Sequence, residues 1–278
     1  MYASPFIDET FDIDNCHNYM LSIRCAPDGF YFSILDLIVN KLIVFTEYDL
    51  NAATPFQLKN EVTEILGKET ILQQNFKSVN ISYSSREIVL APQALFNPEE
   101  VDALFHIHFE SNRNNEIIVN KTTNDIVLLA ALPKIIKDLL LNHFPNARFF
   151  TAASALFHYN THLASNQNRL LVQVDKHMMY LLYSKGNTIQ MVNAFFVKNE
   201  TDSLYYILNT MKQLQADHKT ELLLLGHIQQ NSTLPKQLRN YFEHVNFARF
   251  SHQYTVSYTF HQEPEHYHLA TTELALCE

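Results

Sequence analysis

A strand–turn–strand–strand–helix order occurs twice in this chain, and few folds accommodate it. In the first copy, residues 21–25 alternate apolar and polar side chains (Leu21, Ile23, Cys25), as a half-buried strand requires. Ala26-Pro27-Asp28-Gly29 follows, and its Asp-Gly pair supplies hairpin chemistry before a second strand over 30–37 and a third over 41–46. In the second copy, residues 170–174 make the strand, Asp175-Lys176-His177 the turn, and 178–184 the return strand. Lys185-Gly186-Asn187 then turns into a third strand over 188–197. Each triplet runs into a helix, over 55–66 and 201–215. In the latter, Leu204, Ile207, Leu208, Met211 and Leu214 share one face. The copies begin about 150 residues apart, outside the roughly 20–50 residue period of solenoids, so an internal duplication of a whole domain is expected.

Both halves continue in α/β fashion. The first is expected to add strands over 79–83, 87–91, 116–120 and 125–131, and a helix over 133–142. Another helix starts at Asn97-Pro98-Glu99-Glu100, with Asn97 as N-cap and Pro98 at the first helical position. The second half is expected to hold a short apolar strand over 221–225, a helix over 234–245 and strands near 246–252 and 254–260. The 278 residues suit two lobes, bounded at 1–165 and 166–278.

Composition excludes several classes. Hydrophobic residues at 47% with charged residues at 18% describe a globular chain, not a disordered one. No apolar run approaches the roughly 20 residues of a membrane span. The first 14 residues hold Asp8, Glu9, Asp12 and Asp14 and no base, the reverse of a signal peptide, so a cytoplasmic location is expected. Cys16, Cys25 and Cys277 are scattered and odd in number, reading as reduced thiols. Net charge is −9, and the 20 Lys and Arg form no cluster, which argues against nucleic acid as a partner.

The doubled strand–strand–strand–helix–strand–helix order resembles the actin, sugar kinase and heat-shock chaperone superfamily. Residues 125–159 (DIVLLAALPKIIKDLLLNHFPNARFFTAASALFHY) resemble the end of the first lobe in actin-like proteins of type IV pilus assembly and type II secretion. Residues 170–195 resemble the hairpin opening their second lobe, and 221–242 (ELLLLGHIQQNSTLPKQLRNYF) their adenosine-side strand, loop and helix. A closer similarity is to an uncharacterised bacterial family of unknown function with a degenerate actin-like ATPase fold. The fold this implies is α/β: a two-lobed, ribonuclease H-like actin-like ATPase fold, each lobe a mixed sheet opened by a three-strand antiparallel meander with flanking helices.

By the same resemblance, the nucleotide-binding candidates are Asp28, Gly29, Asp175, Lys176 and Gly226. Active members close phosphate loops with backbone amides at glycines, and orient Mg²⁺ through an aspartate. Only 4 glycines are present, and both loops depart from that pattern. Pro27 removes an amide donor from the first. Lys176 and His177 put bulk where phosphate oxygens need room, although Lys176 also offers an anion a point charge. Asp28-Gly29 and Gly226 are equally explained as turn residues.

Other constellations are thinner. His106 and His108 alternate, and His261, His266 and His268 surround Glu263 and Glu265. Zinc is conceivable at such spacing, but structural or solvated roles are the expectation among 14 histidines. Ser154 and Ser203 lie in no nucleophile elbow. The sequence therefore points to a non-catalytic protein-binding or scaffold module, with no catalytic residue, no cofactor and no metal. It would have one or more protein partners and is compatible with a homodimer. The 14 Tyr and 20 Phe suit partner surfaces, though most belong to the core. The alternative is a weak nucleotide binder or slow ATPase that takes ATP and Mg²⁺ in the cleft between lobes.

Overall fold

The computed structural model describes residues 5–122, 125–163 and 167–277. The chain opens with β1 (Phe6–Ile7), β2 (Tyr19–Ala26), β3 (Gly29–Asp36), β4 (Lys41–Asp49), α1 (Pro55–Lys68) and β5 (Ser78–Tyr83). Thr54 caps α1 by accepting the Gln57 N–H, and Pro55 takes the first turn, where its missing N–H is harmless. An insertion follows: β6 (Ile88–Pro92), α2 (Val101–His106), β7 (Asn115–Lys121), β8 (Ile126–Pro133) and α3 (Lys134–His143), its strands forming a separate antiparallel sheet ordered β6-β8-β7. Asn97 caps the short turn of helix before α2 by accepting the Glu99 N–H. β9 (Arg148–Thr151) and α4 (Ala152–His162) complete the first lobe's run.

The second run is β10 (Arg169–Val174), β11 (Met178–Lys185), β12 (Thr188–Phe196), α5 (Glu200–Gln213), β13 (Glu221–Gly226), α6 (Thr233–Leu238) and β14 (Val245–Phe247). Its sheet order, β12-β11-β10-β13-β14, repeats the order β4-β3-β2-β5-β9 of the first sheet. In both, the first three strands are antiparallel, and the next two add in parallel to the first strand.

The last segment differs from its expectation. The helix expected over 234–245 ends at Leu238, because Val245 must reach the sheet opposite Leu222 in extended form. The strand expected near 246–252 is correspondingly only Val245–Phe247. The strand near 254–260 shortens to β15 (Thr255–Val256), which does not join the second sheet: it pairs in parallel with Lys41 and Leu42 of β4. α7 (Leu269–Thr272) then packs on β2, β3 and α4.

One buried cluster joins the two sheets, uniting Ile23, Phe32 and Ile81 of the first with Leu171, Tyr180 and Leu182 of the second. The alternate residues Leu170, Val172, Leu181 and Leu224 pack instead beneath α5 and α6, with Ile207 and Met211. Period-two alternation thus survives in strands that are apolar on both faces.

Candidate functional site

The β2–β3 and β10–β11 turns meet end to end. Pairing of Ala26 with Gly29 leaves Pro27-Asp28 as the first turn, and pairing of Val174 with Met179 leaves 175–178 as the second, closed by the Asp175 N–H to Met178 O at 2.7 Å. Asp28 Oδ2 accepts the His177 backbone N–H at 3.1 Å, so one turn's carboxylate binds the other's amide.

Behind this contact lies a buried ion pair. Arg24 Nη1 donates to Asp175 Oδ2 at 2.7 Å, with side chains only 3% and 2% exposed. Gln173 Nε2 donates to the same oxygen at 2.9 Å. The guanidinium lies 3.9 Å from the centre of the Tyr31 ring, a cation–π geometry. Burial by itself would lower the Arg24 pKa; the Asp175 carboxylate, then Tyr31, Asp28 and Glu47 behind it, together more than reverse this. Burial also pushes the Tyr31 and Tyr180 phenols well up, so both stay neutral. Outside the pair, Lys176 bonds Asp49, and His227 Nε2 lies 3.5 Å from Glu47.

All five nucleotide-binding candidates gather here. Asp28 and Asp175 hold protein partners, as does Lys176. Gly29 has a packing reason, since a Cβ there would sit 2.3 Å from the Tyr31 hydroxyl, in the ring that faces Arg24. Gly226, opposite Val174 in the sheet, has φ +81°, and a Cβ would approach the Val174 carbonyl to 2.3 Å. Beside the turns a cavity of about 450 Å³ opens between Asp28, Ser84, Asn115, His177 and Phe196.

The other candidates lie apart. His106 Nδ1 is 3.1 Å from Phe109 O, and Ser154 bonds Thr151 and Asn120. His266 is buried with Nε2 2.8 Å from Ile228 O. His268 is buried among Phe6, Phe45, Phe250 and Phe260. Among the described residues, no three His, Cys, Asp or Glu gather as a metal site, and no helix is long and apolar enough to cross a membrane. The three cysteines are free and buried, and burial pushes their thiols up, to about 11 for Cys16 and about 12 for Cys25 and Cys277.

Sequence reasoning passed over Arg24. On a strand read as half-buried, an arginine between Ile23 and Cys25 looks solvated, and its partner lies 151 residues away.

Two sheets of this order, meeting through their first hairpins, define an actin-like ATPase fold. The chain belongs to the family described as protein of unknown function (DUF3822), whose model matches residues 8–245. It is similar, at 23% identity and TM-score 0.82, to a protein with actin-like ATPase fold and unknown function from Bacteroides thetaiotaomicron, over 97% of this chain and 100% of that one. The PilM-PilN type IV pilus biogenesis complex matches at TM-score 0.66 and 11% identity, over 92% and 97% of the two chains. The cytoplasmic domain of EpsL, an inner membrane component of the type II secretion system of Vibrio cholerae, matches at TM-score 0.52 and 10% identity, over 94% and 96%. No curated protein matches.

Proposed function

We propose that this chain is a non-catalytic, cytoplasmic protein-binding module: an internally duplicated actin-like fold whose nucleotide site has degenerated. The observation that carries this is the contact between the two turns. For phosphate to enter, the His177 N–H would have to leave Asp28, and the Arg24–Asp175 pair would have to open while buried, exposing each charge to a low dielectric without its partner. A phosphoryl-transfer site needs its amides and cations free for the nucleotide; here the His177 amide, Arg24 and Lys176 already hold carboxylates. Structural neighbours named for a pilus complex and a secretion component support a protein partner as the ligand.

The test is thermal unfolding with and without ATP and Mg²⁺. An unchanged Tm at millimolar nucleotide is expected, because stabilisation grows with ligand concentration over Kd. A rise of several degrees overturns the reading.

The second reading, a weak nucleotide binder or slow ATPase, draws on the cavity of about 450 Å³ that opens on Asp28 and His177. On that reading Asp28 and Asp175 sit on the metal side, with Gly29 and Lys176 by the phosphates and Gly226 by the base. Calorimetric titration with ATP and ADP, repeated on Asp28→Asn, separates the two: only this second reading yields binding heat that the substitution removes.

A further inference from the structure

A second cavity, of about 880 Å³, lies at the opposite end of the first sheet from the turns. It opens where the start of β2, the end of β7, the start of β9, one face of α4 and the chain after α7 come together. Its volume is toward the upper end of the roughly 300–1,000 Å³ of ligand pockets.

The formal charges on its described wall are of one sign. Lys121 and Arg148 line it beside His158 and His162, and among the described residues no carboxylate does, in a chain whose net charge is −9. Phe150, Phe157 and Leu276 supply apolar wall between these groups. Lys121 is exposed and makes no ion pair among the described residues.

The wall is also held in place from behind. Arg148 donates through Nε to Asn80 Oδ1 at 3.1 Å and through Nη2 to Cys277 O at 3.4 Å, which leaves further guanidinium N–H groups for a ligand. His158 and His162, one turn apart on α4, bring their Nε2 atoms to 3.0 Å. His158 Nδ1 stands 3.5 Å from Oε2 of Glu273, a buried carboxylate fixed by the Tyr254 hydroxyl at 3.0 Å. That Oε2 has no hydrogen-bond partner. The arrangement favours a proton on His158 Nδ1, facing Glu273, so that His158 Nε2 accepts from His162.

We infer that this cavity is the docking site for a short acidic segment of a partner protein, its carboxylates meeting Lys121, Arg148 and the histidine pair and its apolar side chains packing on Phe150, Phe157 and Leu276. The apolar wall selects a peptide over a bare anion, which would leave those surfaces uncovered. The inference rests on the partner-binding reading above and names the surface that does the binding.

Random peptides displayed on phage are selected against the full chain, and then tested as synthetic peptides on the wild type and on a Lys121→Glu/His162→Glu variant. Both residues are exposed, and the variant is first shown to melt as the wild type does. Expected are enriched sequences that combine Asp or Glu with Leu or an aromatic, and that lose about tenfold or more in affinity on the variant, as reversal of facing charges implies. Absence of enrichment overturns the inference, as do neutral or basic sequences. Acidic peptides that bind both proteins equally overturn the site but leave the partner-binding reading standing. Inorganic phosphate that displaces the peptides at low millimolar concentration would make this a small-anion site and also overturn the inference. Stabilisation by ATP and Mg²⁺, measured in parallel, is the separate outcome that would remove the underlying reading.

Discussion

At the scale of single residues, the Arg24–Asp175 pair decides most. Removing one member of a buried pair leaves an uncompensated charge and costs about 3–5 kcal/mol, whereas replacing both with apolar groups is often close to neutral. Arg24→Met is therefore expected to lower stability by about that amount in urea titration, and Arg24→Met combined with Asp175→Leu to recover a large part of it. Strict additivity of the two single losses would show that the charges do not act as a pair. The role of Arg24 was illegible in the sequence for a physical reason. Leu21, Ile23 and Cys25 face the shared core as their alternation implies, but Ser22 and Arg24 are buried as well, because α7, about 250 residues later in the chain, covers that other face. Asp175 and its turn were legible because turn chemistry is local; the guanidinium that neutralises it was not, because the contact is not.

At the scale of elements, the strands, turns and capped helices of both runs could be read from alternation and N-cap chemistry, often to within a residue or two. The tail could not. β15 is two residues long and exists because β4 offers an open edge, already partly taken by β1 at Val44 and Phe45. No intrinsic preference of Thr255-Val256 encodes that docking. The tail also carries a titratable core residue. Burial first, then the nearby His227 and His266, hold the His268 pKa down to about 3. Four phenylalanines surround the ring, and neither nitrogen has a hydrogen-bond partner. Glu263 approaches to 3.5 Å, but it is half exposed, and burial raises its own pKa, so it does not reverse the effect. The sign follows. In the unfolded chain His268 takes its proton near pH 6.5, in the folded one only near 3, so its contribution to stability is complete above about 6.5 and is lost as pH falls toward 3. Between pH 7 and 5 the wild type is expected to lose roughly 1–2 kcal/mol through this group. His268→Leu should flatten that slope in urea midpoints measured at both pH values. An unchanged slope would mean that the imidazole reaches solvent in the folded state.

At the scale of the whole molecule, three features tie the lobes together: the shared apolar core, the turn-to-turn contacts and the tail that returns from the second sheet to β4. An actin-like protein that cycles through nucleotide states needs lobes that move against one another around the cleft. Here that motion would separate Arg24 from Asp175 and strip apolar surface from Ile23, Leu171 and Tyr180 at once. Each penalty alone is several kcal/mol, comparable with a typical total stability of about 5–15 kcal/mol. Partial opening is thus nearly as costly as unfolding, and the lobes should melt together. Scanning calorimetry is expected to show one transition with a calorimetric-to-van't Hoff enthalpy ratio of about 1, unusual for a chain above about 150 residues. Two resolved transitions would show that the lobes are stable separately and the junction between them is weak.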